Sequence, residues 1–262
     1  MLKVRFPVAL IFAGLLAGQL KAQSSASEVQ ARQNQAALEA AARSNHYAFI
    51  YFWKQDDAAH RSMRPVFDAT MAKLRGRADG LVINVLAANE KTLVDRFQVS
   101  RAPMPLVLAV APNGAVTKGL HTRFTEQDIL TGMVSPGTAG CLKAMQQQRL
   151  LLLCVQNESL NDHREALAAC QQFRADPRFS QSTDIVLVNP ADVAEAKLLN
   201  DLQVDPRSPS AVTVFAAPSG KIIGKFVGPV TKDILVSSLQ AAQSGQCHGC
   251  KDPNCKHCQP PK

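Results

Sequence analysis

The sequence predicts an α/β protein made of two consecutive sandwich units, each with a mixed sheet, and a short cysteine-rich tail. Three observations carry this. Short apolar runs of strand length alternate with longer helical stretches along the chain. The same order of elements occurs twice, and a hairpin signal stands late in each copy. Alternation predicts parallel strands joined by helices, and the hairpin adds antiparallel strands to the same sheet.

In the first copy, Ser27–Arg43 is rich in Ala and Gln without Gly or Pro and reads as a helix. Tyr47–Trp53 is an aromatic, β-prone run and reads as a buried strand. A helix follows over Ala58–Arg75, then a strand over Leu81–Leu86 and a helix over Asn89–Phe97. Strands at Leu106–Val110 and Ala115–Lys118 flank Pro112, Asn113 and Gly114, a turn signal. Thr125–Met133 closes the copy as a helix.

The second copy runs strand Leu150–Val155, helix Asn161–Phe173, strand Asp184–Val188 and helix Ala191–Leu202. Strands Ala211–Ala216 and Lys221–Phe226 then flank Pro218, Ser219 and Gly220, and helix Thr231–Ala242 ends it. Gln98-Val99 and Gln203-Val204 mark equivalent helix ends. Each is followed by a Pro-containing stretch, an apolar strand and an Ala-Pro-x-Gly turn. Ser135 to Gly140 reads as a linker. The expected organisation is 1–22 signal peptide, 27–134 first domain, 135–148 linker and connecting segment, 149–242 second domain and 243–262 tail.

The first residues have the pattern of an export signal. Lys3 and Arg5 precede an apolar stretch from Phe6 to Gly18, and small residues follow. A membrane span needs about 20 apolar residues, so a cleaved signal is favoured over an anchor. The expected location is outside the cytoplasm, most simply a bacterial periplasm, with no membrane span after signal removal. The formal charge is +8, falling to +5 without Lys3, Arg5 and Lys21. The remaining basic residues form no stripe interleaved with aromatics, which speaks against nucleic-acid binding. No phosphate loop or nucleotide fingerprint is present, so no nucleotide cofactor is expected.

Four of the seven cysteines lie within twelve residues of the tail, as Cys247, Cys250, Cys255 and Cys258. Two Cys-x-x-Cys pairs face each other across Lys251, Asp252, Pro253 and Asn254, a turn-forming run. Such an arrangement can place four thiolates on one tetrahedral Zn²⁺. Cu⁺ also suits thiolates, with His248 and His257 as further ligands. An oxidising compartment could instead convert the pairs to disulfides. A third reading is a reactive thiol arm, its thiols activated by neighbouring Lys and His. The odd cysteine count leaves a sulfur over if the others pair. Cys154 and Cys170 read as buried packing residues for which pairing is geometrically open, and Cys141 as a residue exposed at the domain junction.

The first copy resembles a thioredoxin. Ile50, Tyr51, Phe52 and Trp53, a short loop, and a helix containing Pro65 are similar to that family's first core strand, active-site loop and kinked helix. Met104-Pro105 before the next strand is similar to its cis-proline loop. The resemblance covers about Tyr47–Val134 and, more loosely, Arg149–Ala242. It implies two tandem thioredoxin-like domains, with Pro105 docking an extended protein or peptide partner.

The chain departs from the family at the reactive positions. Counted from Phe52-Trp53 and back from Pro65, the family's Cys-x-x-Cys falls on Asp57, Ala58, Ala59 and His60. Dithiol exchange needs an attacking thiolate and a resolving thiol, and neither is present. Asp57 reads as a helix N-cap; an acid–base pair with His60 is the less economical alternative. The second copy has Asn157–His163 in the corresponding loop and Ala211 in the place of Pro105. The expectation is a binding or scaffold module with a metal-binding tail; the alternative is a thiol–disulfide oxidoreductase or redox sensor that uses the tail.

Overall fold

The computed structural model describes residues 33–160 and 162–244. The signal region and the tail residues Cys247, His248, Cys250, Cys255, His257 and Cys258 lie outside the described residues. The chain divides into two compact units, the first ending at Gly132 and the second beginning at Met133. The turn Asn113–Thr117 is grouped with the second unit.

In the first unit, helix α1 (described over 33–43) leads to β1 (Tyr47–Trp53), α2 (Ala58–Lys73) and β2 (Ala78–Asn84). A 3-10 turn, Ala88–Glu90, then leads to α3 (Lys91–Arg96), followed by β3 (Leu106–Val110), β4 (Val116–His121) and α4 (Glu126–Leu130). The sheet order is β2-β1-β3-β4. β1 runs parallel to β2 and antiparallel to β3. A strand covered on both faces reads as an unbroken apolar run, and six of the seven residues of β1 are buried.

The second unit repeats the plan with α5 (Pro136–Gln146), β5 (Leu150–Val155), α6 (His163–Ala175) and β6 (Thr183–Val188). It continues through the 3-10 turn Val193–Glu195, α7 (Ala196–Asp201), β7 (Val212–Ala216), β8 (Ile222–Val227) and α8 (Lys232–Gln243). Its sheet order is β6-β5-β7-β8, with β5 parallel to β6 and antiparallel to β7. Alternate residues of a strand face opposite sides, and the core follows that rule. Leu151, Leu153 and Val155 pack with Cys141 and Ala144 of α5 and Leu198 of α7. Leu152 and Cys154 pack with Cys170 and Phe173 of α6 and Leu235 of α8. The unit is therefore a three-layer sandwich.

The stretch expected to be a linker is a helix. Ser135 caps α5 by accepting from Thr138 N, and Pro136 takes the first helical position, where its missing N–H costs nothing. Its glycines serve close packing. A Cβ on Gly137 would lie 2.6 Å from Glu195 Oε2, and one on Gly140 would lie 2.9 Å from Val186. The second unit therefore begins near Ser135, not at 149. Cys141, expected to be exposed, is buried in α5. Burial, reinforced by the Glu195 charge, pushes its thiol up to about 11.

The duplication extends to helix ends. Residues Asn45, Gln98, Gln148 and Gln203 all have positive φ, between 52° and 57°. Each follows a helix, and the next N–H bonds back across the last turn. The bonds are His46 to Ala41, Val99 to Val94, Arg149 to Ala144 and Val204 to Leu199. These are Schellman closures, with Asn or Gln where Gly is commoner. The matched Gln-Val pairs are thus one backbone device used twice.

Candidate functional site

The site expected from the sequence lies where β1 gives way to α2. The register Phe52↔Leu106 places Trp53, at the end of β1, beside Pro105, at the entry to β3. The Met104–Pro105 peptide is cis, and the Pro105 carbonyl accepts from Thr122 N at 2.8 Å.

Asp57 is the N-cap of α2, and its Oδ1 accepts from the backbone N–H of His60 at 2.8 Å. That bond satisfies one of the orphan donors at the helix start. The carboxylate is engaged by the backbone of His60, while the imidazole turns to other partners. His60 Nδ1 lies 3.2 Å from the Tyr51 hydroxyl, and the ring stacks on Trp53 with centroids 4.6 Å apart. Arg61, one residue on, donates to the Asp56 carbonyl at 2.6 Å.

Tyr51 was not singled out from the sequence, yet it anchors the site. It is fully buried, against Phe67 and Phe124. Burial pushes its phenol up to about 12; the Arg64 charge opposes the shift, and the Asp57 and Asp68 charges add to it. The phenol therefore stays protonated at neutral pH and is available as a donor to the imidazole. His60 is pinned between a ring face and a neutral hydroxyl, an arrangement that orients it without a thiol nearby. All three cysteines of the described residues are buried in the second unit's core or its first helix, and none lies in this loop.

In the second unit the corresponding loop is closed on itself. Ala211 stands one residue before β7, as Pro105 stands before β3, and its carbonyl accepts from Gly228 N at 2.8 Å. Unlike proline, Ala211 has an N–H, and Asp162 Oδ1 accepts it at 2.9 Å. Asp162 makes no side-chain cap bond to α6. The only cis peptide among the described residues is Met104–Pro105.

Two further buried acids were not anticipated. Glu90 and Glu195 occupy matching 3-10 turns, and each is 4 % exposed. Glu90 Oε1 accepts from Asn34 Nδ2 at 2.5 Å, and its Oε2 has no partner. Burial raises the Glu90 carboxyl above its usual range, and the Asn34 bond opposes the shift. Glu195 accepts from Ser135 Oγ at 2.6 Å and Gly137 N at 2.7 Å, holding the first turn of α5. The signal available in the sequence was an acidic residue at the same place in both copies. Among the described residues, no group of three or more His, Cys, Asp or Glu is placed to hold a metal. No helix among them is long and apolar enough to cross a membrane.

No family model and no curated protein matches the chain. Solved structures do. The germline-specific thioredoxin Deadhead from Drosophila melanogaster is 16% identical, covering 33% of this chain and 77% of its own, with a TM-score of 0.28. The first two thioredoxin domains of Saccharomyces cerevisiae Eps1p are 10% identical, covering 75% and 92%, with a TM-score of 0.27. The zinc-bound form of human ERp44 is 8% identical, covering 79% and 57%, with a TM-score of 0.35. The strand order, the proline inside α2 and the cis peptide before β3 are this chain's own features.

Both units have the thioredoxin-like fold. The positions expected from the sequence to match the family's reactive sulfurs hold the capping carboxylate of Asp57 and the stacked imidazole of His60. The thioredoxin-like first unit keeps the cis-proline turn, and the thioredoxin-like second unit replaces it with a trans, internally bonded one.

Proposed function

We propose that this chain is an exported thioredoxin-fold binding module whose tail carries a thiophilic metal, rather than a dithiol catalyst acting from its folded units. The observation that carries the reading is the use made of Asp57 and His60. One holds the first turn of α2 and the other is fixed by Tyr51 and Trp53. Thiol exchange requires a thiolate, and neither side chain supplies one.

The first unit is the binding unit in this reading. Its Pro105 turn stands at an end of the sheet beside exposed residues Lys54–Asp57, where an extended peptide segment of a protein partner can lie. The second unit, whose equivalent N–H is taken by Asp162, serves as support. In the tail, Cys247, Cys250, Cys255 and Cys258 would hold one Zn²⁺, or Cu⁺ with His248 and His257 as further donors. Lys3 and Arg5 ahead of the apolar stretch Phe6 to Gly18, with small residues after it, support export to a periplasm.

The alternative is an oxidoreductase that uses the tail sulfurs. It is favoured by one feature, the Lys and His residues interleaved with them, which lower thiol pKa values. Insulin reduction by the full chain, combined with native mass measured before and after chelation, separates the two. The binding reading expects a metal mass that chelator removes and no insulin reduction. Reduction that is lost when the four tail cysteines become serine would establish the alternative.

A further inference from the structure

The sulfurs of Cys154 and Cys170 lie 3.1 Å apart in the core of the second unit. Cys154 stands on β5 opposite Thr213 of β7, and Cys170 lies on α6. They are 1 % and 0 % exposed, packed among Leu152, Phe173, Phe215 and Leu235. A disulfide places its sulfurs about 2.05 Å apart, so an approach of about 1 Å separates this contact from a bond.

The first unit shows what these positions otherwise hold. Sheet register matches Cys154 to Tyr51, since each lies one residue before the partner of the first residue of β7 or β3. Phe67 follows Tyr51 by the interval that separates Cys170 from Cys154, and the two rings pack with centroids 5.2 Å apart. An aromatic contact between strand and helix in one copy is thus a sulfur contact in the other. A buried metal site is disfavoured, because two sulfurs in an apolar shell leave a tetrahedral ion two ligands short.

We propose that Cys154 and Cys170 form a buried disulfide that joins β5 to α6 and makes the second unit's stability depend on the thiol–disulfide balance present while it folds. The oxidant is a disulfide of small-molecule or protein class. One cysteine thiolate attacks it, forming a mixed disulfide and releasing one thiolate. The second cysteine thiolate then displaces the remaining half, and the Cys154–Cys170 bond forms. The pair loses two electrons, the incoming disulfide is reduced to two thiols, and the two cysteine protons pass to those leaving groups.

In the folded unit the bond that Cys154 donates to Cys170, and then burial, hold the Cys154 thiol far above its usual range. Both sulfurs are closed to solvent in the folded unit, so oxidation occurs while the chain folds, before α6 seals against β5. The same burial then shields the product from reductant.

The experiment unfolds the full chain, refolds it with oxidised glutathione, alkylates it and digests it without reductant. A peptide pair linked through Cys154 and Cys170, with Cys141 alkylated, is the expected result. Reducing the refolded protein under denaturing conditions, then refolding it with thiol present, should lower the second unit's melting temperature by about 10–20 °C, given the short loop closed. In Cys170→Ser that redox-dependent shift should vanish. Free, alkylated Cys154 and Cys170 after oxidative refolding, or a link from either to another cysteine, would overturn the proposal. The peptide map of the unaltered chain decides the matter even if Cys170→Ser fails to fold.

Discussion

At Asp57 one carboxylate oxygen decides what the loop between β1 and α2 of the first unit can do. It satisfies the His60 backbone N–H, and no other acceptor from the loop is bonded there. Replacing an N-cap Asp by Ala typically costs about 1 kcal/mol. Asp57→Ala should therefore lower the first unit's unfolding free energy by that amount and its urea midpoint accordingly, read from the fluorescence of the single tryptophan, Trp53. An unchanged midpoint would return Asp57 to the pool of candidate reactive groups. Its capping role was legible in the sequence, because Asp ahead of an apolar-periodic run has few other uses. Tyr51 was not legible. Within an unbroken apolar strand, nothing distinguishes a tyrosine whose hydroxyl meets His60 from one that simply fills space.

Among the elements, α6 and α8 show how a loop end is tied down. Asp176, the C-cap of α6, accepts from Arg178 and from Lys232 at the start of α8. The Arg178 bonds first, and then Lys232, hold its carboxyl well below the usual carboxylate range. A depressed folded pKa contributes stability above the unfolded value of about 3.9, and that contribution is lost as pH falls below it. Asp176→Asn should accordingly lower the melting temperature at pH 7 and flatten its decline between about pH 4 and pH 2. A parallel decline in variant and parent would show that the carboxylate is not the group responsible.

Element positions divide by mechanism in how readable they were. β1, β3 and β5 were bounded correctly to the residue, because a centrally buried strand is apolar along its whole length. Helix ends drifted most at α2, α4 and α6, which end at Lys73, Leu130 and Ala175 against Arg75, Met133 and Phe173 expected, whereas the ends closed by Asn45, Gln98 and Gln203 lie within one residue of the expected ones. Helix α5 was missed altogether. Ser, Pro and two glycines resemble a linker, yet Ser caps, Pro opens the helix and the glycines admit Val186 and Glu195.

Taken whole, the molecule is a duplication whose copies have drifted apart at the same places. Glu90 and Glu195 are the clearest case. Glu195 holds two donors of α5, so Glu195→Gln should cost roughly 1–3 kcal/mol through a lost charge-assisted acceptor. Glu90 keeps one oxygen unpartnered, and its raised pKa means that its contribution fades as pH rises through the folded value. Glu90→Gln should then leave the first unit as stable or more stable at pH 7. Urea unfolding followed by Trp53 fluorescence and by helical circular dichroism checks both. Equal losses in the two variants would contradict the assignment. Neither acid could be ranked from sequence, because its worth depends on donors more than fifty residues away.

Helix α5 has a practical bearing on how the molecule may be cut. One wall of the second sandwich is supplied by Cys141 and Ala144, which precede the first strand of that sheet. A fragment begun at residue 149 would expose Leu151, Leu153 and Val155 to water along one side. The inheritable building block is therefore helix-first, and any rearrangement that shuffles this half between genes must carry Ser135 with it.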